Sequence, residues 1–211
     1  MTYKRKTPYL QFKRASDIGF SITLLILLSP LFLVIALLIK ASSQGSLFYT
    51  SLRVGLKGKP LACYKFRTMY SDADKRLHHL LEKDPLLKME WAQYQKLKND
   101  PRIFPLGHFL RKTSLDELPQ LINVLLGDLS LIGPRPFYAN QVTKYLGDKK
   151  EKFLSVKPGI TGLWQVSGRN LLTFEERLTL DEHYIDNFCF MQDLLIFFKT
   201  FPALFSLKGA Y

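Results

Sequence analysis

Cysteine is nearly absent from this chain: Cys63 and Cys189 are the only two among 211 residues. Two thiols make neither a disulfide framework nor a zinc site, and they fit a reducing compartment. No internal repeat and no low-complexity tract is present, and glycine and proline are scattered, so no linker divides the chain. The Walker and dinucleotide fingerprints are missing. So are aromatic-rich RNA motifs and any helix-turn-helix signal. Acidic residues are missing from residues 1–14, which carry Lys4, Arg5, Lys6, Lys13 and Arg14. Charge of either sign is missing from residues 18–39.

What is present is basic and apolar. Lys and Arg number 30 against 18 Asp and Glu, a formal charge of +12. That balance favours phosphate-rich partners: nucleic acid, nucleotide or an anionic bilayer. The length allows one ordinary domain, or a small domain plus a membrane element. The basic arm gains about 1 kcal/mol per charge beside anionic head groups. The apolar run that follows is about 33 Å long as a helix, enough to cross a bilayer. It is too long for a signal core, and no cleavage site follows. Ser29 and Pro30 sit in its middle. Pro30 cannot donate to the carbonyl of Ile26, so a kink is expected there, with the Ser29 hydroxyl able to satisfy a freed carbonyl. Arg14 precedes the run, and Lys40 and Arg53 follow it, so the positive-inside rule chooses no orientation. Spanning and re-entrant paths both remain open on physics alone.

The rest reads as α+β, mainly helical with a small β-hairpin. Residues 47–69 alternate as two strands around a GLKGK turn, with Leu61, Cys63, Lys65 and Arg67 on one face. Lys65 and Arg67 side by side suit a diphosphate. Residues 71–98 read as a long polar helix that Pro85 interrupts or restarts, with His78 and His79 as surface residues. Asn99 to Pro101 form a turn, and residues 104–112 a short helix. Residues 156–170, VKPGITGLWQVSGRN, read as a glycine-rich loop holding Trp164, Gln165 and Arg169. Residues 173–187 form a helix that opens on a Thr173–Glu176 capping box, and its Asp181 and Tyr184 share a face. Residues 191–207 are apolar but interrupted, which suits an interfacial amphipathic helix or a core helix.

Residues 113–136, TSLDELPQLINVLLGDLSLIGPRP, carry the chemistry. Ser114 to Glu117 matches a capping box, while Pro119 argues for a later helix start with Asp116 itself as the cap. At a helix start a carboxylate stays ionised. An ionised Asp116 can attack phosphorus. Glu117 beside it can orient or deprotonate a second substrate, or share a divalent cation. Mg2+ suits carboxylates together with phosphate oxygens and water. Arg111 and Arg135, the latter held in a rigid Gly-Pro-Arg-Pro turn, can neutralise developing charge.

These segments together resemble the bacterial sugar transferase family, the monotopic phosphoglycosyl transferases that prime undecaprenyl-linked glycan assembly. The resemblance runs from about Lys13 to Leu207 and rests on KRASDIG with the later Ser29-Pro30 pair, YKFRTM, DPRIFPLGHFLRKTSLDELPQLINVLLGDLSLIGPRP and KPGITGLWQVSGR. It implies transfer of a sugar 1-phosphate from a UDP-sugar to undecaprenyl phosphate, with release of UMP. It implies Mg2+ and a ping-pong route through a phosphosugar on Asp116, with Glu117 as the second acid. Lys65, Arg111 and Arg135 match basic positions for phosphate or nucleotide. Arg67, Gln165 and Arg169 are further candidates for that role, and Asp181 and Tyr184 are further site candidates.

The resemblance also implies a re-entrant helix with both ends cytoplasmic. Residues 1–40 would then form the arm and membrane helix, and residues 41–211 a catalytic domain on the cytoplasmic face of the bacterial inner membrane. Membrane lipid is an expected partner, nucleic acid is not, and a homodimer is compatible with this picture. The chain is expected to be a minimal form, lacking the transmembrane bundle and extra soluble domain of larger relatives. It departs from the family where Phe188-Cys189 replaces a usual Trp-Ser pair. The alternative from a different class is a membrane-anchored basic binding or regulatory protein without catalysis.

Overall fold

The computed structural model describes residues 7–94, 97, 99–168 and 171–205. The early basic residues Lys4, Arg5 and Lys6, and the candidate Arg169, lie outside the described residues. Helix α1 (Thr7–Leu27) and helix α2 (Ser29–Ser42) meet at a bend of 60°. The cause is local. Pro30 has no N–H for the Ile26 carbonyl, and the Ser29 hydroxyl donates to that oxygen instead, at 2.8 Å. The ladder otherwise continues, from Leu28 N to Leu24 O and from Phe32 N to Leu28 O, both 2.9 Å. Among the described residues no single helix is long and apolar enough to cross a membrane, while this bent pair passes together on length and composition. Ile35 and Ile39 face inward against Phe66, Phe104 and Leu110, while Ile26, Leu27, Leu33, Leu37 and Leu38 stay exposed.

Strands β1 (Phe48–Val54) and β2 (Pro60–Phe66) form the expected antiparallel hairpin, with Tyr49 opposite Lys65 and Arg53 opposite Leu61. The turn closes from Gly55 N to Lys59 O at 2.8 Å and uses left-handed backbone at Lys57 and Gly58. The long polar helix is interrupted before Pro85, as expected, giving α3 (Ala73–Lys83) and α4 (Pro85–Tyr94). Asp84 is extended, as a residue before proline prefers, and its carboxylate caps α4 by accepting from Leu86 N and Leu87 N. His78 and His79 are exposed. Helix α5 (Pro105–Thr113), a 3-10 turn (Leu115–Glu117) and helix α6 (Gln120–Leu126) follow.

Strand β3 (Ser130–Ile132) pairs in parallel with β4 (Gly159–Thr161), a pairing the sequence reading did not contain. Between them lie the short helices α7 (Ala139–Gln141) and α8 (Lys150–Phe153). Helices α9 (Leu163–Ser167), α10 (Phe174–Asn187) and α11 (Phe190–Phe205) complete the described chain. The region read as a glycine-rich loop is therefore a strand and a helix. Its glycines are there because backbones cross: a Cβ on Gly159 or Gly162 would collide with the backbone of Gly133. The capping box of α10 forms as expected, with Thr173 N donating to Glu176 Oε2 at 2.7 Å and Glu176 N to Thr173 Oγ1 at 3.2 Å. Helix α11 is amphipathic: Ile196 is buried against Tyr184 and Phe188, whereas Met191, Leu195, Phe198 and Phe201 are exposed.

Candidate active site

Two carboxylates and several cations meet between the hairpin and the 3-10 turn. Helix α5 ends at Ser114, whose left-handed backbone (φ 58°) reverses the chain sharply. The next three residues wind as the 3-10 turn and point Asp116 and Glu117 at β2. The expected capping box at Ser114 does not form, and Asp116 does not cap α6; Pro119 occupies that position. Asparagine 123, on α6, fixes the turn against the strand. Its side chain accepts from Tyr64 N at 2.9 Å and donates to Ala62 O at 2.8 Å, as a neighbouring strand would. Residue 65 is thereby held in register with the acids.

Lys65 Nζ lies 2.6 Å from Glu117 Oε1 and 3.3 Å from Asp116 Oδ2. Arg135 Nη2 adds a contact to Glu117 Oε1 at 3.2 Å. Among the described residues Lys65 is the one hydrogen-bond donor to the Asp116 side chain. Asp116 is only 7% exposed. Burial raises its pKa against the pull of Lys65, and the neighbouring Glu117 charge adds to the rise. Glu117 goes the other way. Burial opposes its charge, yet Lys65 and Arg135 hold it well below the usual carboxylate range. Burial would lower Lys65, but Glu117 and Asp116 keep its pKa raised. The acids are thus unequal: Glu117 is gripped by two cations, and Asp116 is less engaged.

Arg111, in the last turn of α5, is held through Nε by Thr68 Oγ1 at 2.8 Å; burial lowers its pKa while the nearby Asp116 charge supports it. The pocket beside the acids is lined by Arg53, Cys63, Lys65, Glu117, Gln120, Arg135, Pro136 and Gly159. Arg53 was not among the expected residues. It was findable: a turn at residues 55–59 puts Arg53 opposite Leu61, on the face that carries Lys65. Arg67 is not in this cluster. It follows β2, and its guanidinium donates to the carbonyls of Ser43 and Gln44 at the end of α2. Gln165 is buried and donates to Ile160 O at 3.2 Å.

Asp181 and Tyr184 share a helix face but not a partner. Asp181 is fully buried and accepts from Arg177 Nε at 3.4 Å. Burial raises its pKa to about 6. Tyr184 donates to Asp193 Oδ1 at 2.7 Å, in a separate cluster where Tyr9 and Lys13 reach the other oxygen of Asp193. Arg177 was not among the expected site residues, and Asp193 was expected only as a polar interruption of the apolar segment 191–207. The i, i+4 spacing from Arg177 to Asp181 was the available signal for the first.

The surroundings of the acids are set partly by α1. Arg14 donates to the carbonyls of Val124 and Leu125 at the end of α6. Asp17 accepts from Ser130 Oγ at 2.7 Å and from Leu131 N at 3.1 Å, at the start of β3. Lys13 and Arg14, expected to face lipid head groups, are instead internal fasteners. Chemically, the site offers one partly free buried carboxylate and a surplus of cations, Lys65, Arg53, Arg111 and Arg135 against two acids. That surplus suits a doubly charged diphosphate.

The family model for bacterial sugar transferase matches residues 8–207. The exopolysaccharide production protein ExoY of Sinorhizobium fredii is 43% identical, over 94% of this chain and 88% of its own length. The undecaprenyl-phosphate galactose phosphotransferase of Salmonella typhimurium is 46% identical, over 99% of this chain but only 43% of that longer protein. The UDP-glucose:undecaprenyl-phosphate glucose-1-phosphate transferase of Klebsiella pneumoniae is 40% identical, over 95% of this chain and 41% of its own length. With a match along nearly its whole described length, the chain belongs to the bacterial sugar transferase family.

Proposed function

We propose that the chain transfers a sugar 1-phosphate from a UDP-sugar to undecaprenyl phosphate, forming the undecaprenyl-diphosphate sugar and UMP as the first membrane step of a surface glycan. The observation that carries this is the asymmetric acid pair. Asp116 is buried, adjacent to cations, and less engaged than Glu117. A carboxylate oxygen of Asp116 attacks the phosphorus that bears the sugar. The bond from that phosphorus to the bridging oxygen breaks, and UMP leaves with the electron pair. A phosphate oxygen of undecaprenyl phosphate then attacks the same phosphorus and frees the carboxylate. Lys65, Arg53, Arg111 and Arg135 hold and neutralise the phosphates. Glu117 keeps Lys65 and Arg135 in place. The names of the Salmonella and Klebsiella relatives support the carrier and the donor class.

Mg2+ fits the donor set on chemical grounds. The site supplies two hard carboxylate oxygens, and Mg2+ commonly takes one or two carboxylates with phosphate oxygens and water. Among the described residues no cluster of three or more metal-ligating side chains occurs, so Asp116 and Glu117 would hold the ion jointly with the substrate. Its chemistry there is to withdraw charge from the diphosphate. The bent α1–α2 pair, with its exposed leucines, suits insertion into one leaflet from the cytoplasmic side of the inner membrane, with the apolar face of α11 at the same boundary. The decisive experiment measures UMP release from a panel of UDP-sugars with undecaprenyl phosphate. Asp116→Asn is expected to lower it by at least about 10³-fold while the protein still partitions into membrane. Undiminished release would remove Asp116 from the nucleophile's role, and no release from any donor would favour a binding protein.

A further inference from the structure

The turn that carries Arg135 is pinned at three successive carbonyls. Pro134 O accepts from Gly159 N at 2.9 Å, on the parallel strand pair. Arg135 O accepts from Arg177 Nη2 at 3.0 Å. Pro136 O accepts from Arg53 Nη1 at 3.3 Å. The two prolines fix φ at positions 134 and 136, and Pro136 biases the ψ of Arg135 to extended values without setting its exact angle. The Arg177 contact therefore fixes the orientation of the peptide that follows Arg135.

Arg177 reaches this carbonyl from the interior. It is buried and lies over the rings of Phe137 at 4.6 Å, Phe174 at 5.3 Å and Trp164 at 5.3 Å. Arg135 approaches the same Trp164 ring, 5.8 Å from its centroid. Asp181 Oδ2 steadies the Arg177 Nε at 3.4 Å, and Asp181 Oδ1 has no partner among the described residues. A guanidinium enclosed by three rings, with one loose ionic contact, is a costly way to stabilise a core. Its fixed planar fork is, however, well suited to joining a helix carboxylate to a backbone carbonyl.

We infer that Arg177, anchored by Asp181, is a positioning residue that aims Arg135 at Glu117 and at the donor's diphosphate. The inference rests on the proposed reading of Arg135 as a phosphate-holding group. Remote misplacement of about 1 Å costs about 10²-fold in rate, so the effect is measurable.

A double-mutant cycle separates the possibilities. Arg135→Met, Arg177→Met and the double variant are compared by UMP release, with kcat and the KM for each substrate. The expected result is a loss of about 10²-fold in kcat/KM for the UDP-sugar in each single variant, an unchanged kcat/KM for undecaprenyl phosphate, and a double variant no worse than Arg135→Met. Losses that multiply in the double variant, or wild-type kinetics in Arg177→Met, would overturn the role of Arg177 while leaving Arg135 intact. Wild-type kinetics in Arg135→Met would instead overturn the phosphate-holding reading beneath it. If Arg177→Met does not fold, Arg177→Lys serves in the same cycle. It keeps the charge in the aromatic enclosure but cannot reach Asp181 and the Arg135 carbonyl together, so the same non-additive loss is expected.

Discussion

Lys65 holds two acids in different states. Its ammonium sits 2.6 Å from Glu117 and 3.3 Å from Asp116, and it is the main brake on the rise that burial gives Asp116. Removing that brake with Lys65→Met makes Asp116 harder to ionise, so a higher pH is needed to form the carboxylate that the proposed mechanism uses for attack. The acid limb of kcat/KM against pH is therefore expected to move upward, with a lower plateau because a phosphate partner is lost. A limb that stays in place would disconnect Lys65 from the ionisation of Asp116. At this scale the sequence was informative where neighbours in the chain are neighbours in space. Asp116 and Glu117 adjoin, and the prolines around Arg135 announce a rigid presentation. It misled at Arg67, because strand alternation ends at Phe66 and the following guanidinium turns to the carbonyls closing α2. Asn123 was invisible, since nothing local reveals that an amide on a helix will complete the hydrogen bonds of a strand edge.

Among the elements, the bent α1–α2 pair bears most on membrane geometry. Pro30 creates the bend, but α1 is also tied down by Lys13 to Asp193, Arg14 to the end of α6, and Asp17 to the start of β3. Restoring a normal helix with Pro30→Ala gains about 3 kcal/mol. The part-buried Lys13–Asp193 pair is worth less than the roughly 3–5 kcal/mol that breaking a fully buried pair costs, but the hydrogen bonds made by the charged Arg14 and Asp17 add about 1.5–3 kcal/mol each. The ties therefore win. Labelling a cysteine placed ahead of α1 from each side of the bilayer is expected to give the same result for Pro30→Ala as for the parent. Only Pro30→Ala combined with Lys13→Ala and Asp17→Ala should move the label. A change of side in Pro30→Ala alone would make the proline the sole determinant. The bend itself was legible from Ser29-Pro30, as were the hairpin, its turn and the cap of α10, because each is written within a few residues. The β3–β4 pairing was not. Each strand has three residues, and Ser130 meets Gly159 only after the helical stretch of residues 139–153 intervenes.

Taken whole, the molecule puts a cation-rich candidate site and a broad apolar surface on one small chain. The formal charge of +12 is only partly available to outside partners. Lys13, Arg14, Arg67 and Arg177 each bind an internal carboxylate or carbonyl. Lys65, Arg53, Arg111 and Arg135 cluster around Asp116 and Glu117, where the proposed function places the substrate's phosphates, and the exposed apolar residues of α1, α2 and α11 form the surface proposed to meet lipid. On the proposed mechanism the two substrates never need to occupy the site together, because the sugar phosphate waits on the protein between half-reactions. Intact-protein mass spectrometry after incubation with the UDP-sugar and Mg2+, without undecaprenyl phosphate, tests this most directly. One sugar phosphate is expected per chain, located on Asp116 and absent from Asp116→Asn, with a stoichiometric burst of UMP. Release of UMP only when both substrates are present, with no added mass at any donor concentration, would contradict it.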